Sequence, residues 1–195
     1  MSPIENQEES RQRFEELFAE MFDESDRGCI LIGASVLDDV LCDLLKKRLA
    51  KSEHVAKQAM EPLFAGMGPL SSFSARIKLA YCLGLIGQWE FEDLERIRKI
   101  RNKAAHEYTS KTFTDNEIIQ ITQRLGGANH AVSAMQKLEA TEAEAGSPLS
   151  ESAAGSSSNR ELSKERLRFQ LTVVYLAGRL DLQAFGPRGM PSGAA

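Results

Sequence analysis

The fold is decided by the stretch Arg27-Gly28-Cys29-Ile30-Leu31-Ile32-Gly33-Ala34-Ser35-Val36-Leu37, which is apolar nearly all the way round a helix. Apolar residues then recur at helical spacing through Leu45, so the pattern predicts one long helix from about Asp26 to Leu49. Ser25 stands at its N-cap position. A helix that is apolar on every side must be enclosed by others. The sequence therefore predicts an all-α bundle built around this helix.

Helical spacing also predicts helices on both sides of the central one. They cover about residues 8–22, 54–60, 72–86, 90–106, 114–125, 129–144 and 161–185. The pattern Thr114 to Glu117 is a capping box that opens the helix over 114–125. Gly87 is expected to end the helix over 72–86. Residues 167–173 also alternate like a strand. A lone strand would have no partner in a helical chain, so we favour a helix there.

Composition divides the chain into a folded part and polar or small-residue segments. We expect a disordered N-terminus (1–9), a helical domain (10–144), a flexible Ser/Gly/Ala-rich linker (145–160), a C-terminal helix packing on the domain (161–185) and a disordered tail (186–195). The linker has no aromatic residue, which is typical of a segment that cannot build a core.

Charge and residue usage exclude several classes of protein. The 195 residues carry a net charge of −4, which argues against coating nucleic acid through the global field. The chain begins with a polar stretch rather than a signal peptide, and no apolar run reaches membrane-spanning length, so we expect a cytoplasmic protein without membrane contact. Cys29, Cys42 and Cys82 are interpreted as reduced core thiols. No zinc spacing or nucleotide fingerprint occurs, so we predict no metal and no cofactor.

The helix from about Glu90 to His106 places its acids first and its bases last, which complements the helix dipole. Ion pairs are expected between Glu92 and Arg96 and between Glu95 and Lys99. The basic half, which includes Arg98, also suits an anion or nucleic-acid surface. The pattern leaves both interpretations open.

Arg101, Asn102 and His106 at the end of this helix are the sharpest candidates for chemistry. A histidine can take the proton of a ribose hydroxyl, an arginine can stabilise the charged phosphate, and Asn102 could orient either group. Arg101 and His106 lie about 140° apart on an ideal helix, so they converge only if the helix ends near His106 or a second chain contributes. The structural alternative is that His106 caps the helix and Arg101 pairs with a buried acid.

Two sets of polar residues at predicted helix N-termini complete the candidate binding residues. They are Asp23, Glu24 and Asp26 with Arg27, and Ser71, Ser72 and Ser74 with Arg76. The first set is a plausible ion-pair partner for Arg101 or Arg76, and the second is a natural anion site. Ordinary helix capping explains both sets as well. We interpret Asp38 and His130 as surface residues.

Three segments of the sequence resemble the mannitol operon repressor family. They are Glu24-Ser25-Asp26-Arg27-Gly28 with the apolar stretch after it, Gly68-Pro69-Leu70-Ser71-Ser72-Phe73-Ser74-Ala75-Arg76-Ile77-Lys78-Leu79-Ala80-Tyr81, and Arg98-Lys99-Ile100-Arg101-Asn102 through His106. The resemblance covers about 14–125 and resumes at 166–180. It implies an all-α fold and repression of a sugar-alcohol operon. It also implies that a DNA-binding motif is absent, so that direct DNA binding is doubtful and repression is indirect.

The Arg101-Asn102…His106 pattern also resembles the HEPN superfamily, whose Arg-polar…His motif cleaves RNA in dimers of helical domains. This implies an alternative function as a metal-independent endoribonuclease of toxin or defence systems, with Arg101 and His106 catalytic and RNA as a partner. A third alternative is a non-catalytic anion- or nucleotide-binding module built on Arg76 and Arg101. The leading expectation is a HEPN-like bundle without enzymatic activity. It regulates transcription through contacts with another regulatory protein or a homodimer partner.

Overall fold

The computed structural model describes residues 12, 16, 19–50, 59–106, 112–145 and 163–185. Residues 19–23 are helical, and the helices after them are α1 (Asp26–Leu49), α2 (Glu61–Phe64), α3 (Phe73–Cys82), α4 (Gln88–His106), α5 (Asn116–Thr122), α6 (Gly127–Ala145) and α7 (Lys164–Phe185). No β-strand occurs among these residues, so the predicted all-α fold is confirmed. The expected domain limits, the linker, the tails and the helix over 54–60 fall wholly or mostly outside them and stay predictions.

Helix α1 lies at the centre of the bundle, in contact with α3, α4 and α7. Its bounds are those predicted, because the Ser25 hydroxyl accepts the backbone N–H of Gly28 at 3.1 Å and fixes the first turn. The buried side chains of α1 include Ile30, Leu37, Leu41, Leu44 and Leu45. Helix α6 packs along α7. The central helix is therefore enclosed, as its apolar circumference requires.

Helices α1 and α7 approach each other most closely at Gly33. A Cβ atom at Gly33 would lie 3.0 Å from Cε1 of Phe169 and 3.1 Å from Cγ2 of Val173. Phe169 and Val173 are both fully buried, so neither ring nor methyl group has free space to move into. Glycine at this position allows α7 to seat directly on the backbone of α1.

Two of the helical glycines, Gly33 and Gly178, are expected to respond oppositely to substitution by alanine. Gly33→Ala should lower the free energy of unfolding by about 1–3 kcal/mol, because the new methyl group overpacks the α1–α7 contact. A Cβ at Gly178 would meet nothing within 4 Å. Gly178→Ala should therefore raise stability by about 0.5–1 kcal/mol through helix propensity alone. Urea unfolding of both variants tests this, and equal effects at the two positions would contradict it.

Two predicted helix boundaries are wrong, the end of α3 and the start of α5. Helix α3 ends at Cys82 rather than near Ile86, because Gly84 adopts a left-handed conformation with φ of 67° and turns the chain early. The N-cap of α5 is Asp115 rather than Thr114, and it makes no side-chain cap bond. The Asp115 carboxylate instead accepts the backbone N–H of Thr112 at 2.7 Å. The capping-box pattern at this position therefore folds as a turn before the helix.

The cysteines differ from the predicted set of three core thiols. Cys29 and Cys42 are buried, but Cys82 is exposed because α3 ends there. Burial raises the pKa of the Cys29 thiol to about 12, so it remains protonated at neutral pH. None of the helices in the described ranges combines the length and apolar character needed to cross a membrane.

Thiol labelling of the native protein should therefore be selective. Ellman's reagent is expected to modify Cys82 rapidly, and Cys29 and Cys42 only after denaturation in guanidinium chloride, because a buried neutral thiol is a poor nucleophile. Cys82→Ser should remove the fast reaction and leave the slow one. A second fast thiol in that variant would show that one of the two core cysteines is accessible.

Candidate functional site on helix α4

The first turn of α4 is tied to the last helix through a buried carboxylate. The side chain of Glu90 is 1% exposed, and its Oε1 accepts Nε–H of Arg179 at 2.8 Å. Its Oε2 accepts the backbone N–H of Gly87 at 2.5 Å, which caps the start of α4. Gly87 thus begins α4 rather than ending α3.

A second buried carboxylate on α4 caps another helix. The Asp93 side chain is also 1% exposed, and its Oδ2 accepts the backbone N–H groups of Gly126 at 2.9 Å and Gly127 at 2.8 Å. Its Oδ1 accepts from Nη1 of Arg96 at 2.9 Å. These N–H groups belong to the first turn of α6, where a helix has no internal acceptors. Asp93 therefore fixes α6 against α4, a role that the sequence pattern did not reveal.

Most of the basic side chains of α4 are held in ion pairs. Arg96 pairs with Glu92 at 2.8 Å, as predicted. Arg98 pairs with Glu95 at 2.8 Å, so the predicted partner of Glu95, Lys99, is wrong. The i,i+3 spacing brings the two side chains together, and the arginine fork contacts the carboxylate through both Nε and Nη2. Lys103, beyond them, reaches Glu117 on α5 at 2.7 Å.

Arg101, Asn102 and His106 occupy the last part of α4. Arg101 is exposed, and its Nη1 donates to Oδ1 of Asn102 at 3.2 Å rather than to a buried acid. His106 is the last residue of the helix, and its side chain lies outside the described atoms. One of the two alternative conditions for a convergent Arg101–His106 pair is met, since α4 ends at His106. The catalytic role of the pair stays a prediction.

The side chain of Arg76 holds α3 against α1. Its side chain is 10% exposed, and Nη1 contacts Oδ1 of Asp38 at 2.5 Å. Nε donates to the carbonyl of Leu70 at 2.8 Å, and Nη2 donates to that of Ser71 at 3.3 Å. Asp38 is therefore a half-buried ion-pair partner rather than a surface charge. Burial raises the pKa of Asp38, and the charges of Arg76 and, more weakly, Arg101 oppose that rise.

Asp26 and Arg27 also have contacts within the bundle. Oδ1 of Asp26 accepts from Nη1 of Arg166 at 2.8 Å, and Oδ2 accepts the backbone N–H of Phe113 at 3.0 Å. The predicted pairing of this acidic set with Arg101 or Arg76 is therefore wrong for Asp26. Arg27 donates from Nη2 to the carbonyl of Ala105 at 3.4 Å and so caps the end of α4.

An aromatic cluster with an arginine, missed in the sequence, lies where α4, α6 and α7 meet. The ring of Trp89 lies 4.3 Å from that of His130 and 6.1 Å from that of Tyr175, centroid to centroid. The guanidinium of Arg179 lies 5.5 Å from the Trp89 ring centroid. We call these four residues the Trp89 surface. His130 is exposed, as predicted, but it is stacked on a neighbour rather than isolated in solvent.

Electrostatically, the Trp89 surface presents a cation to solvent. The Arg179 side chain is 37% exposed, whereas its partner Glu90 is 1% exposed and lies beneath it. The only sequence signals were that Trp89 is the single tryptophan of the chain and that Tyr175 and Arg179 are one helical turn apart. Nothing local indicated that three helices bring these side chains together.

The fold and these contacts define a class of protein. Within the described ranges no group of three or more potential metal ligands occurs. The charged side chains of α4 mostly hold the bundle together, and a partly exposed surface of tryptophan, tyrosine and arginine remains. Such residues are enriched at protein–protein interfaces. The arrangement is that of an all-helical bundle that carries a partly exposed aromatic surface with an arginine.

Comparison with known families gives the particular family. The family model described as mannitol repressor matches residues 14–177, and the chain belongs to this family. It is similar to the mannitol operon repressors of two Escherichia coli strains, with 34% identity over 93 residues that make up 48% of this chain and 48% of each relative. The matched region thus spans about half the length of the curated relatives. The resemblance seen in the sequence is confirmed.

Two solved structures share the fold. The structure of the MtlR–HPr complex from Escherichia coli has a TM-score of 0.61 and 23% identity, covering 87% of this chain and 98% of that one. A possible transcriptional regulator, YggD from Shigella flexneri, has a TM-score of 0.62 and 16% identity, covering 86% and 96%. At these identities the likeness concerns the fold. Together with the family, it favours the repressor interpretation over the ribonuclease alternative.

Proposed function

We propose that this protein is a repressor of the mannitol-operon type that acts in the cytoplasm through contact with a partner protein rather than with DNA. Family membership supports the repressor role. One of the solved structures that share its fold is the MtlR–HPr complex, so an HPr protein is the first partner to test. The role of Arg101 and Asn102 as binding residues remains a separate prediction.

The observation that carries this proposal is the Trp89 surface. Tryptophan, tyrosine and arginine supply most of the energetically dominant residues of protein interfaces. Here the ring of Trp89 already lies 4.3 Å from that of His130, His130 stacks on Tyr175, and Arg179 is held by Glu90. Side chains that are ordered before binding lose less conformational entropy when a partner docks. The surface is therefore both chemically suited and preorganised for a protein contact.

Titration of the full chain with HPr from the same organism tests the proposal. Because Trp89 is the only tryptophan, its fluorescence emission reports directly on this surface, and calorimetry gives the affinity. We expect a saturable emission change, and about a thirtyfold weaker affinity for Arg179→Ala, as for an interface residue worth about 2 kcal/mol. Absence of binding by the wild-type chain would contradict the HPr assignment.

Arg101→Ala is the matched control, since Arg101 is an exposed arginine at the opposite end of α4. Its affinity for HPr should equal that of the wild type. If this variant loses binding and Arg179→Ala does not, the predicted Arg101–Asn102 set is the contact instead. A salt-sensitive shift of operator DNA by the protein alone would contradict indirect repression.

A further inference from the structure

Four of the seven exposed large apolar side chains in the described part of the chain lie on α6 and α7. Leu167 is 41% and Leu182 is 61% exposed on α7, while Val132 is 46% and Met135 is 57% exposed on α6. The two helices lie side by side. Val132 is two residues from His130 and so projects to the other side of α6. On α6 the exposed residues therefore point away from the Trp89 surface, whereas on α7 they border it, since Leu171 and Tyr175 are one helical turn apart.

On α7 the exposed apolar residues follow one line. They are Leu167, Leu171, Val174, Gly178 and Leu182, which we call the α7 stripe. Their spacing of four, three, four and four residues keeps them on one helical face, as in the seam of a coiled coil. Leu171 and Val174 are half-buried, and neither is among the hydrophobic residues that pack against the core. The stripe extends along about 23 Å of helix.

Gly178 makes an open notch in this stripe. A Cβ atom there would meet nothing within 4 Å, so the fold itself does not require glycine. A helix-interior glycine weakens the helix by about 0.5–1 kcal/mol relative to alanine. Such a position calls for a packing or functional reason. Close approach of another helix to the backbone of α7 supplies one.

The stripe is complementary to itself when two copies run antiparallel. In a register centred between Thr172 and Val173, Leu171 faces Val174 and Leu167 faces the Gly178 notch of the second copy. In the same register Lys164 faces Asp181, so opposite charges meet at both ends. A two-fold axis generates each of these contacts twice. In a parallel pair, by contrast, Lys164 would face Lys164 and the two notches would face each other.

We propose that this chain forms a homodimer in which the α7 stripes of two copies pack antiparallel. The partner on the α7 stripe is a second copy of this chain, because the stripe supplies both halves of each contact. Leu167 matches the Gly178 notch in size, and Lys164 matches Asp181 in charge. The large side chain of Leu167 fills the Gly178 notch, Leu171 packs on Val174, and Lys164 pairs with Asp181. A stripe of this length is small for an interface, so the dimer is weak and forms in the micromolar range.

Sedimentation equilibrium of the full chain over a wide concentration range tests the dimer, and charge exchange tests its register. Lys164→Glu and Asp181→Lys each place like charges opposite each other at two symmetric positions. Each should raise the dimer dissociation constant by about tenfold. The double variant restores opposite charges and should return to within about threefold of the wild type. Lys164 is exposed and Asp181 half-exposed, so the monomer fold should be unaffected.

Gly178→Gln tests the notch independently. A Cβ atom at Gly178 would meet nothing within 4 Å and the residue is half-exposed, so we expect the monomer to keep its circular dichroism and melting temperature, whereas dimerisation should be lost. Leu83→Ser, at an exposed apolar position at the end of α3, is the control and should dimerise normally. The proposal is overturned by a wild type that stays monomeric at all concentrations or by single charge variants that dimerise like the wild type. It is equally overturned by a double variant that is not restored, or by loss of the dimer in the Leu83 control.

Discussion

Replacing Arg166 by methionine is expected to lower the free energy of unfolding by about 3–5 kcal/mol, as for removal of one partner from a buried ion pair. The Arg166 side chain is 6% exposed and joins three parts of the chain. Nη1 donates to Asp26 at 2.8 Å, and Nη2 lies 2.9 Å, 3.1 Å and 2.7 Å from the carbonyl oxygens of Met21, Phe22 and Glu24. Loss of the guanidinium removes this donor from Oδ1 of Asp26 and from the carbonyl oxygens at the start of the bundle, of which that of Met21 keeps only Nε2 of Gln170 at 3.1 Å.

Arg168→Met is the matched control for this prediction. Arg168 lies on the same helix and is half-exposed, and it donates to the carbonyl of Leu125 at 3.1 Å. Its replacement should cost about 1 kcal/mol, the usual contribution of one hydrogen bond. Urea unfolding followed by circular dichroism compares the two. Arg166→Lys should recover little, because an ammonium group cannot present the planar fork. Equal losses in Arg166→Met and Arg168→Met would show that Arg166 is not a clamp.

The fold was predictable where local signals determine it. Helix α1 has the predicted bounds because both signals that determine them are local. These signals are the Ser25 N-cap, directly before the helix, and the apolar residues on all sides of the helix itself. The end of α3 was not predictable in the same way. Gly84 and Gly87 are both able to stop a helix, and the backbone uses Gly84 with its positive φ. Choosing between them requires the position of α4, which sequence spacing does not supply.

In the candidate site too, local contacts could be predicted from the sequence and long-range contacts could not. The Glu92–Arg96 pair was predictable because one helical turn brings the two side chains together. The Asp26–Arg166 pair spans 140 residues and the Glu90–Arg179 pair spans 89. Such pairs depend on how the helices are arranged in space. From the sequence alone, the acids of α1 and α4 could be interpreted only by their position near the start of a helix. That ambiguity is why Asp26 was matched to the wrong arginines and why the Trp89 surface was missed.

Asp93→Ala is expected to destabilise the protein by about 3–5 kcal/mol, the second large effect. The lost carboxylate leaves the N–H groups of Gly126 and Gly127 without an acceptor. It also leaves Arg96 without its buried partner. Charged hydrogen bonds of this kind contribute about 1.5–3 kcal/mol each, and they are not fully additive. Asp93→Asn keeps one acceptor oxygen and should lie between alanine and the wild type.

Glu92→Ala distinguishes the loss of the α6 cap from the loss of an ion pair with Arg96. Glu92 binds the same Arg96 at 2.8 Å but is 41% exposed and does not cap α6. Its cost should be small, as for other surface pairs. Native-state hydrogen exchange gives a second measurement, since Asp93→Ala should speed exchange at Gly126 and Gly127 whereas Glu92→Ala should not. If both variants leave these amides protected, packing of α6 on α7 alone holds the first turn of α6. In that case the Asp93 carboxylate does not fix α6, and the side of the Trp89 surface that carries His130 depends on α7 rather than on α4.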